Sequence, residues 1–265
     1  MVRQEPRRDG LQGRQGRPLD AGAEDVKILL FDLDGTLVRA GGAGRKALNR
    51  AVQNVFKVRK DCGELSLAGK TDLVNFAEAI EHAVGRKPTR RDVDRVHEEY
   101  IRVLPHFVRV SLRAKRYELT AGIEGLLKAL AARKDEVALG LGTGNMERGA
   151  RIKLGPSGLN GYFPWGGYGS DAYHRHLLLK KAVARAKKHH RLRRVDPRDV
   201  YVVGDTPLDV AAGKKAGYRT VAVGTGFSTW AALRRSKPDH LAKDFRNVEA
   251  WLRWLSLKPA TRKKR

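Results

Sequence analysis

The amino-acid sequence predicts an α/β fold: a doubly wound, Rossmann-like parallel sheet that carries an inserted helical segment. Two observations predict the sheet. Short apolar runs recur along the chain, each ending in a turn that contains Gly or Asp, and helical patterns lie between them. A third observation predicts the insertion. Residues 44 to 115 break that alternation with helical patterns and no convincing strand.

Val26-Lys27-Ile28-Leu29-Leu30-Phe31 is almost continuously apolar and runs into Asp32, as a parallel strand buried on both faces does. Arg45 to Lys57, Asp72 to Val84 and Thr89 to Leu104 read as the inserted helices. Alternation then resumes. The helical pattern Ile123 to Ala132 precedes the strand Glu136 to Leu141, which ends in Gly142-Thr143-Gly144-Asn145. Leu177 to Lys188 precedes Asp199 to Val203, which ends in Gly204-Asp205-Thr206-Pro207. Leu208 to Ala216 precedes Arg219 to Val223, which ends in Gly224-Thr225-Gly226. The expected organisation is a disordered leader over 1–24, an α/β core over 25–43 and 116–257, a helical insertion over 44–115 and a basic tail over 258–265. No internal repeat is visible.

A chain of 265 residues that is 41% hydrophobic has enough apolar material for a substantial core. It has no apolar run of membrane-spanning length and no signal-peptide core, so a soluble cytoplasmic protein with no membrane partner is expected. Cys62 is the single cysteine, which excludes an internal disulfide and a cysteine-based zinc site. The chain holds 54 Lys+Arg against 29 Asp+Glu, a formal net charge of +25. Such a field attracts phosphorylated metabolites and nucleic acid. The charge is spread along the chain and reads as a solvated surface, so a nucleic-acid partner stays open without being favoured. Lys187 to Arg194 and Lys258 to Arg265 are its denser runs.

The chemistry concentrates after the strands, where ligands bind in a doubly wound sheet. Asp32 and Asp34 are two apart after a buried strand, and residues two apart in a strand point the same way. Carboxylates that close repel unless a cation holds them. Gly35 and Thr36 permit a sharp turn. Asp205 ends another strand, Pro207 suits the first turn of a helix, and Asp209 falls one turn on. Together these carboxylates suit Mg²⁺. Thr143, Gly144 and Asn145 form a turn able to meet an anion, and Arg175, Lys180 and Lys181 are candidate cations for it.

With these residues the chain resembles the haloacid dehalogenase superfamily of phosphohydrolases over about residues 26 to 240. The motifs stand in order: Asp32-Leu33-Asp34-Gly35-Thr36, Thr143, a basic residue, and Gly204-Asp205-Thr206-Pro207-Leu208-Asp209. Thr143-Gly144-Asn145, Ala150-Arg151-Ile152-Lys153-Leu154, Tyr162-Phe163 and Gly169-Ser170-Asp171 leading to Arg175 look like the phosphoglycolate-phosphatase-like branch. The resemblance implies that residues 44–115 are a cap domain and that the protein is a phosphatase of a small phosphorylated metabolite, phosphoglycolate or similar. It implies that Asp32 forms an aspartyl-phosphate and that Asp34 serves as acid and then base. It implies Mg²⁺ held by Asp32, the Asp34 carbonyl and Asp205, with Asp209 in support, and phosphate met by Thr143 and Arg175. The usual Lys-Pro form of the third motif is absent, which keeps Lys180 and Lys181 as alternatives to Arg175. A phosphomutase on the same scaffold, or a nucleic-acid-associated protein using its basic surface, are the alternative functions. A dehalogenase has no use for Asp34.

Other signals are weaker. Gly69-Lys70-Thr71 ends like a phosphate-binding P-loop, but position 64 is Glu64 and no strand precedes it. By the resemblance, Gly69 to Asp72 lies in the cap and either faces substrate or is a plain helix start with Thr71 as its N-cap. His174, His176, His189 and His190 read as solvated, and Trp251 and Trp254 as core or docking residues.

Overall fold

The computed structural model describes residues 26–63 and 65–257. The expected leader, the basic tail and Glu64 lie outside the described residues. In chain order the elements begin with β1 (Lys27–Phe31), β2 (Val38–Ala40), α1 (Ala43–Phe56), α2 (Asp72–Val84), α3 (Arg90–Arg113) and β3 (Tyr117–Leu119). They continue with α4 (Ile123–Ala131), β4 (Val137–Gly142), α5 (Glu147–Leu154), β5 (Gly166–Gly167), α6 (Arg175–His189) and β6 (Val200–Gly204). The last are α7 (Pro207–Ala216), β7 (Arg219–Val223), α8 (Trp230–Arg235), β8 (His240–Ala242) and α9 (Val248–Trp254).

Six strands form one sheet in the order β5-β4-β1-β6-β7-β8, and every pairing is parallel. The apolar runs read from the sequence are its central strands. Their side chains alternate between two buried layers, as a sheet covered on both faces requires. Leu29, Phe31, Tyr201 and Val203 face α4, α5 and α9, while Ile28, Leu30, Val200 and Val202 face α6 and α7. Trp251 is buried and stacks on Phe245, and Trp254 stacks on His240, so both tryptophans close the first of these layers.

β2 and β3 pair antiparallel, Val38 against Leu119, and lead the chain into and out of α1, α2 and α3. Those helices bury their own apolar cluster, including Leu48, Val52, Phe76, Ile80 and Val96. α3 runs on to Arg113, past the expected end at Leu104 and through Pro105, because its apolar face continues with Val108 packed in the same cluster. Cys62 is buried there as a free thiol. Among the described residues no helix is long and apolar enough to cross a membrane.

Candidate active site

β4, β1 and β6 are neighbours, and their ends are in register: Phe31 lies opposite both Leu141 and Val203. The residues that follow therefore leave the sheet side by side. Asp32 comes from β1, Thr143 from β4 and Asp205 from β6. This is the carboxyl edge of the sheet, where the peptide chain turns and leaves room for a ligand.

Asp32, Asp205 and Asp209 are buried, with carboxylate oxygens within 4.8 Å of one another. Burial pushes the Asp32 carboxyl above its ordinary range; the charge of Arg175 opposes the rise and that of Asp209 adds to it. Burial raises Asp205 further, with Asp209 and Asp32 contributing in turn. Arg175 opens α6 and reaches into the cluster, 3.5 Å from Asp32 Oδ1 and bonded to Asp209 Oδ1. Lys180 and Lys181 lie farther along α6, exposed, and the fold does not bring them to the site.

Asp205 is held from both sides. Thr36 Oγ1 donates to its Oδ1 at 3.2 Å and the Phe227 N–H to its Oδ2 at 2.8 Å. Two glycines make room for it. A Cβ on Gly226 would fall 1.8 Å from Asp205 Oδ2, and one on Gly35, whose φ is +84°, would fall 2.6 Å away. Asp209 caps its own helix: its Oδ2 accepts from the Thr206 N–H at 3.0 Å, and its N–H donates to Thr206 Oγ1.

Asp34 turns away from that cluster. Its Oδ2 accepts from Lys153 Nζ at 2.6 Å and from Asn145 Nδ2 at 2.9 Å. Asn145 Oδ1 accepts from Lys153 as well, and Asn145 Nδ2 donates to Thr143 Oγ1, so the Asn145 amide ties Asp34, Thr143 and Lys153 together. The nearby Thr143 hydroxyl works against the rise that burial causes at the Asp32 carboxyl. Gly144 is where the helical unit meets the sheet: a Cβ there would fall 2.1 Å from the Lys70 carbonyl.

Lys153 is the residue that the sequence did not mark as functional. It is 5% exposed, on α5, and burial of its charge is outweighed by Asp34, Tyr100 and Asp72 around it. Gly44 leaves space for it, since a Cβ there would lie 3.0 Å from Lys153 Nζ. Above these groups lies a chamber of about 610 Å³ between the helical unit and the sheet edge. Asp32, Asp34, Lys153 and Arg175 line one side, and Leu48, Phe76 and Tyr100 the other. Gly69, Lys70 and Asp72 also line it.

The donor set is all oxygen, buried and anionic, with two carboxyls pushed above their ordinary range, and this fits a hard divalent cation. A carboxylate oxygen with one hydrogen bond keeps a lone pair for a cation. Asp209 Oδ2 already accepts from the Thr206 N–H and hydroxyl and Oδ1 from Arg175, so Asp209 is the least available of the three.

Two weaker readings are corrected. Thr71 occupies the N-cap position of α2, but its hydroxyl donates to the Tyr173 carbonyl and not to the helix. His190 is half-buried, not solvated: its Nε2 accepts from Trp165 Nε1 at 3.1 Å, and burial, then His189, pushes it down to about 4. Among the described residues His174 and His176 belong to no metal-binding group.

A family model for hydrolases of the haloacid dehalogenase-like kind matches residues 26–217. No curated protein matches the chain. Among solved structures, a β-phosphoglucomutase from Clostridium difficile superimposes with a TM-score of 0.64 at 17% identity, over 87% of this chain and 97% of that one. A predicted phosphoglycolate phosphatase from Haemophilus somnus 129pt gives 0.58 at 19% identity, over 85% and 97%. A hydrolase from Pseudomonas syringae gives 0.58 at 16% identity, over 86% and 98%. At these identities the likeness is one of fold.

Proposed function

Because the chain belongs to the haloacid dehalogenase-like hydrolases, we propose that it is a magnesium-dependent phosphatase acting on a small phosphate monoester. The observation that carries this reading is the convergence of Asp32, Thr143 and Asp205 from three adjoining strand ends beneath one chamber, which Asp32 and Arg175 line.

In this reading Asp32 attacks phosphorus and becomes an aspartyl-phosphate as the ester oxygen leaves. Asp34 gives that oxygen a proton, then takes one from the water that cleaves the acyl-phosphate bond. Lys153 and Asn145 hold Asp34 in place for both steps. Thr143, the Gly144 turn and Arg175 meet the phosphoryl oxygens. Mg²⁺, held by Asp32, the Asp34 main-chain carbonyl and Asp205 with Asp209 in support, would neutralise charge on the transferring group. Helices α1 to α3 act as the cap that shuts bulk water from the chamber.

The test is release of phosphate from an aryl phosphate with Mg²⁺, followed by a panel that includes phosphoglycolate, sugar phosphates and nucleotides. Asp32→Asn abolishes release. Release that persists in this variant refutes the mechanism. A mutase would instead isomerise a sugar phosphate without net phosphate release, and the same panel reads both.

A further inference from the structure

Part of the positive charge that looks dispersed along the chain is gathered by the fold. α6, α7 and α8 cover one face of the sheet in succession. α6 buries Leu178, Leu179 and Ala182 in one cluster with Ala212 of α7, and α7 buries Val210 with Leu233 of α8. The last turn of each helix is basic: Lys187 and Lys188 on α6, Lys214 and Lys215 on α7, Arg234 and Arg235 on α8. Arg191, Arg193 and Arg194 continue the band past α6. All of these residues are exposed.

The helices themselves carry no acid to balance them. The only carboxylate on the three is Asp209, and it is buried in the site. The acids of the adjoining loops have other partners: Asp171 bonds Arg185, Asp196 bonds Arg198, Asp199 bonds Lys27, and Asp239 bonds Thr220. Asp196 and Asp239 lie near enough to Arg194 and Lys214 to feel their charge. Among the described residues, however, no carboxylate forms an ion pair with any cation of the band. The opposite face differs, for α4 carries the acid Glu124 as well as Lys128, and α9 carries Glu249 as well as Arg253.

A helix dipole favours a cation in the last turn. It accounts for one at each terminus, as on α4 and α9, but not for the pairs on α6 and α8 or for Arg191, Arg193 and Arg194 beyond the end of α6. The helices are in contact at this level. Lys214 Nζ donates to the Ser236 carbonyl just past α8. Lys215 of α7 turns the other way, toward His176 in the first turn of α6, so Lys214 is the cation that α7 adds to the band. Neighbouring helices lie about 10 Å apart, so three span about 20 Å, the scale of several backbone phosphates.

We propose that the C-terminal ends of α6, α7 and α8 form a surface that binds the phosphate backbone of nucleic acid, at the sheet edge opposite the catalytic chamber. Arginine forks match phosphate geometry, and the band asks for repeated anions, not one. A lipid surface calls for an apolar face beside the cations. These helices turn their apolar faces to the sheet, and their exposed Leu177, Leu208 and Trp230 stand in first turns, at the other end. Backbone binding carries no sequence information and leaves the chamber open.

The experiment is fluorescence anisotropy of the full chain with a labelled duplex DNA and a labelled single-stranded RNA across a salt series. Binding is expected to weaken linearly in log–log form. The variant Lys187→Glu/Lys188→Glu/Arg193→Glu/Arg194→Glu should bind duplex at least tenfold more weakly, its slope reduced by about 0.9 for each phosphate it no longer neutralises. Arg234→Gln/Arg235→Gln, on a different helix, should weaken binding in the same direction. Both variants should keep the wild-type phosphatase rate, and bound DNA should not raise KM for an aryl phosphate. A control with Lys258, Arg262, Lys263 and Lys264 changed to Gln should retain binding. The proposal is overturned by no binding at low salt, by loss of binding in the control alone, by DNA competing with the aryl phosphate, or by tighter binding to anionic phospholipid vesicles than to either nucleic acid.

Discussion

Asp34 depends on two donors from distant parts of the chain. Lys153 and Asn145 meet the same carboxylate oxygen at 2.6 and 2.9 Å and fix its rotamer. Lys153→Met keeps the bulk of the side chain and removes the donor. Because misplacing a reacting group by about 1 Å costs on the order of 10²-fold in rate, kcat should fall by about that factor while KM moves little. Steady-state kinetics on an aryl phosphate reads this, and an unchanged kcat would remove Lys153 from the machinery. Asp205 gives the parallel case. Gly226→Ala places a methyl 1.8 Å from its Oδ2, so the carboxylate must shift. The Mg²⁺ concentration for half-maximal activity should rise at least tenfold, and a magnesium titration that superimposes on wild type would contradict the assignment of Asp205 as a ligand. Asp32, Asp34, Thr143 and Asp205 were legible in the sequence because each follows an apolar run. Lys153 was not, because its partner lies 119 residues away and nothing local marks it.

At the scale of elements, the helix that follows Asp205 is set by its first turn. Thr206 and Asp209 cap α7 reciprocally, and Asp209 also anchors Arg175. Thr206→Ala removes one half of that arrangement and should cost about 1 kcal/mol. Chemical denaturation checks the value, and a variant as stable as wild type would show the capping pair to be dispensable. The long apolar strands β1, β4, β6 and β7 were readable within a residue, because burial on both faces leaves a continuous signature. β2, β3, β5 and β8 were not. They are two or three residues long, too short for periodicity, and their partners supply the order. α5 was missed as well, although it carries Lys153. Its eight residues lie between glycine-rich turns, and their apolar positions are few.

At the scale of the whole molecule, the helical unit and the sheet are joined through Asp72. Its N–H donates to the Gly144 carbonyl at 2.7 Å, and its Oδ2 accepts from the Met146 N–H at 2.8 Å. Both partners lie in the turn after β4, so the first turn of α2 is bonded to the wall of the site. Burial pushes the Asp72 carboxyl up from an ordinary 3.8 to about 6, against the charge of Lys153 and the Met146 bond. The folded protein therefore holds a proton that the unfolded chain gives up. Between those two values stability falls as pH rises: the contribution is complete below the unfolded value and lost above the folded one. A rise of this size is worth on the order of 2–3 kcal/mol. Asp72→Asn keeps an acceptor for Met146 and does not titrate, so it removes this slope. The difference in unfolding free energy between wild type and Asp72→Asn, taken from urea melts at a series of pH values, should grow in favour of the variant from about pH 4 to about pH 6 and level off above. A difference that stays flat across the window would mean that Asp72 is ionised in the folded state and that the joint between the helical unit and the sheet is an ion pair with Lys153.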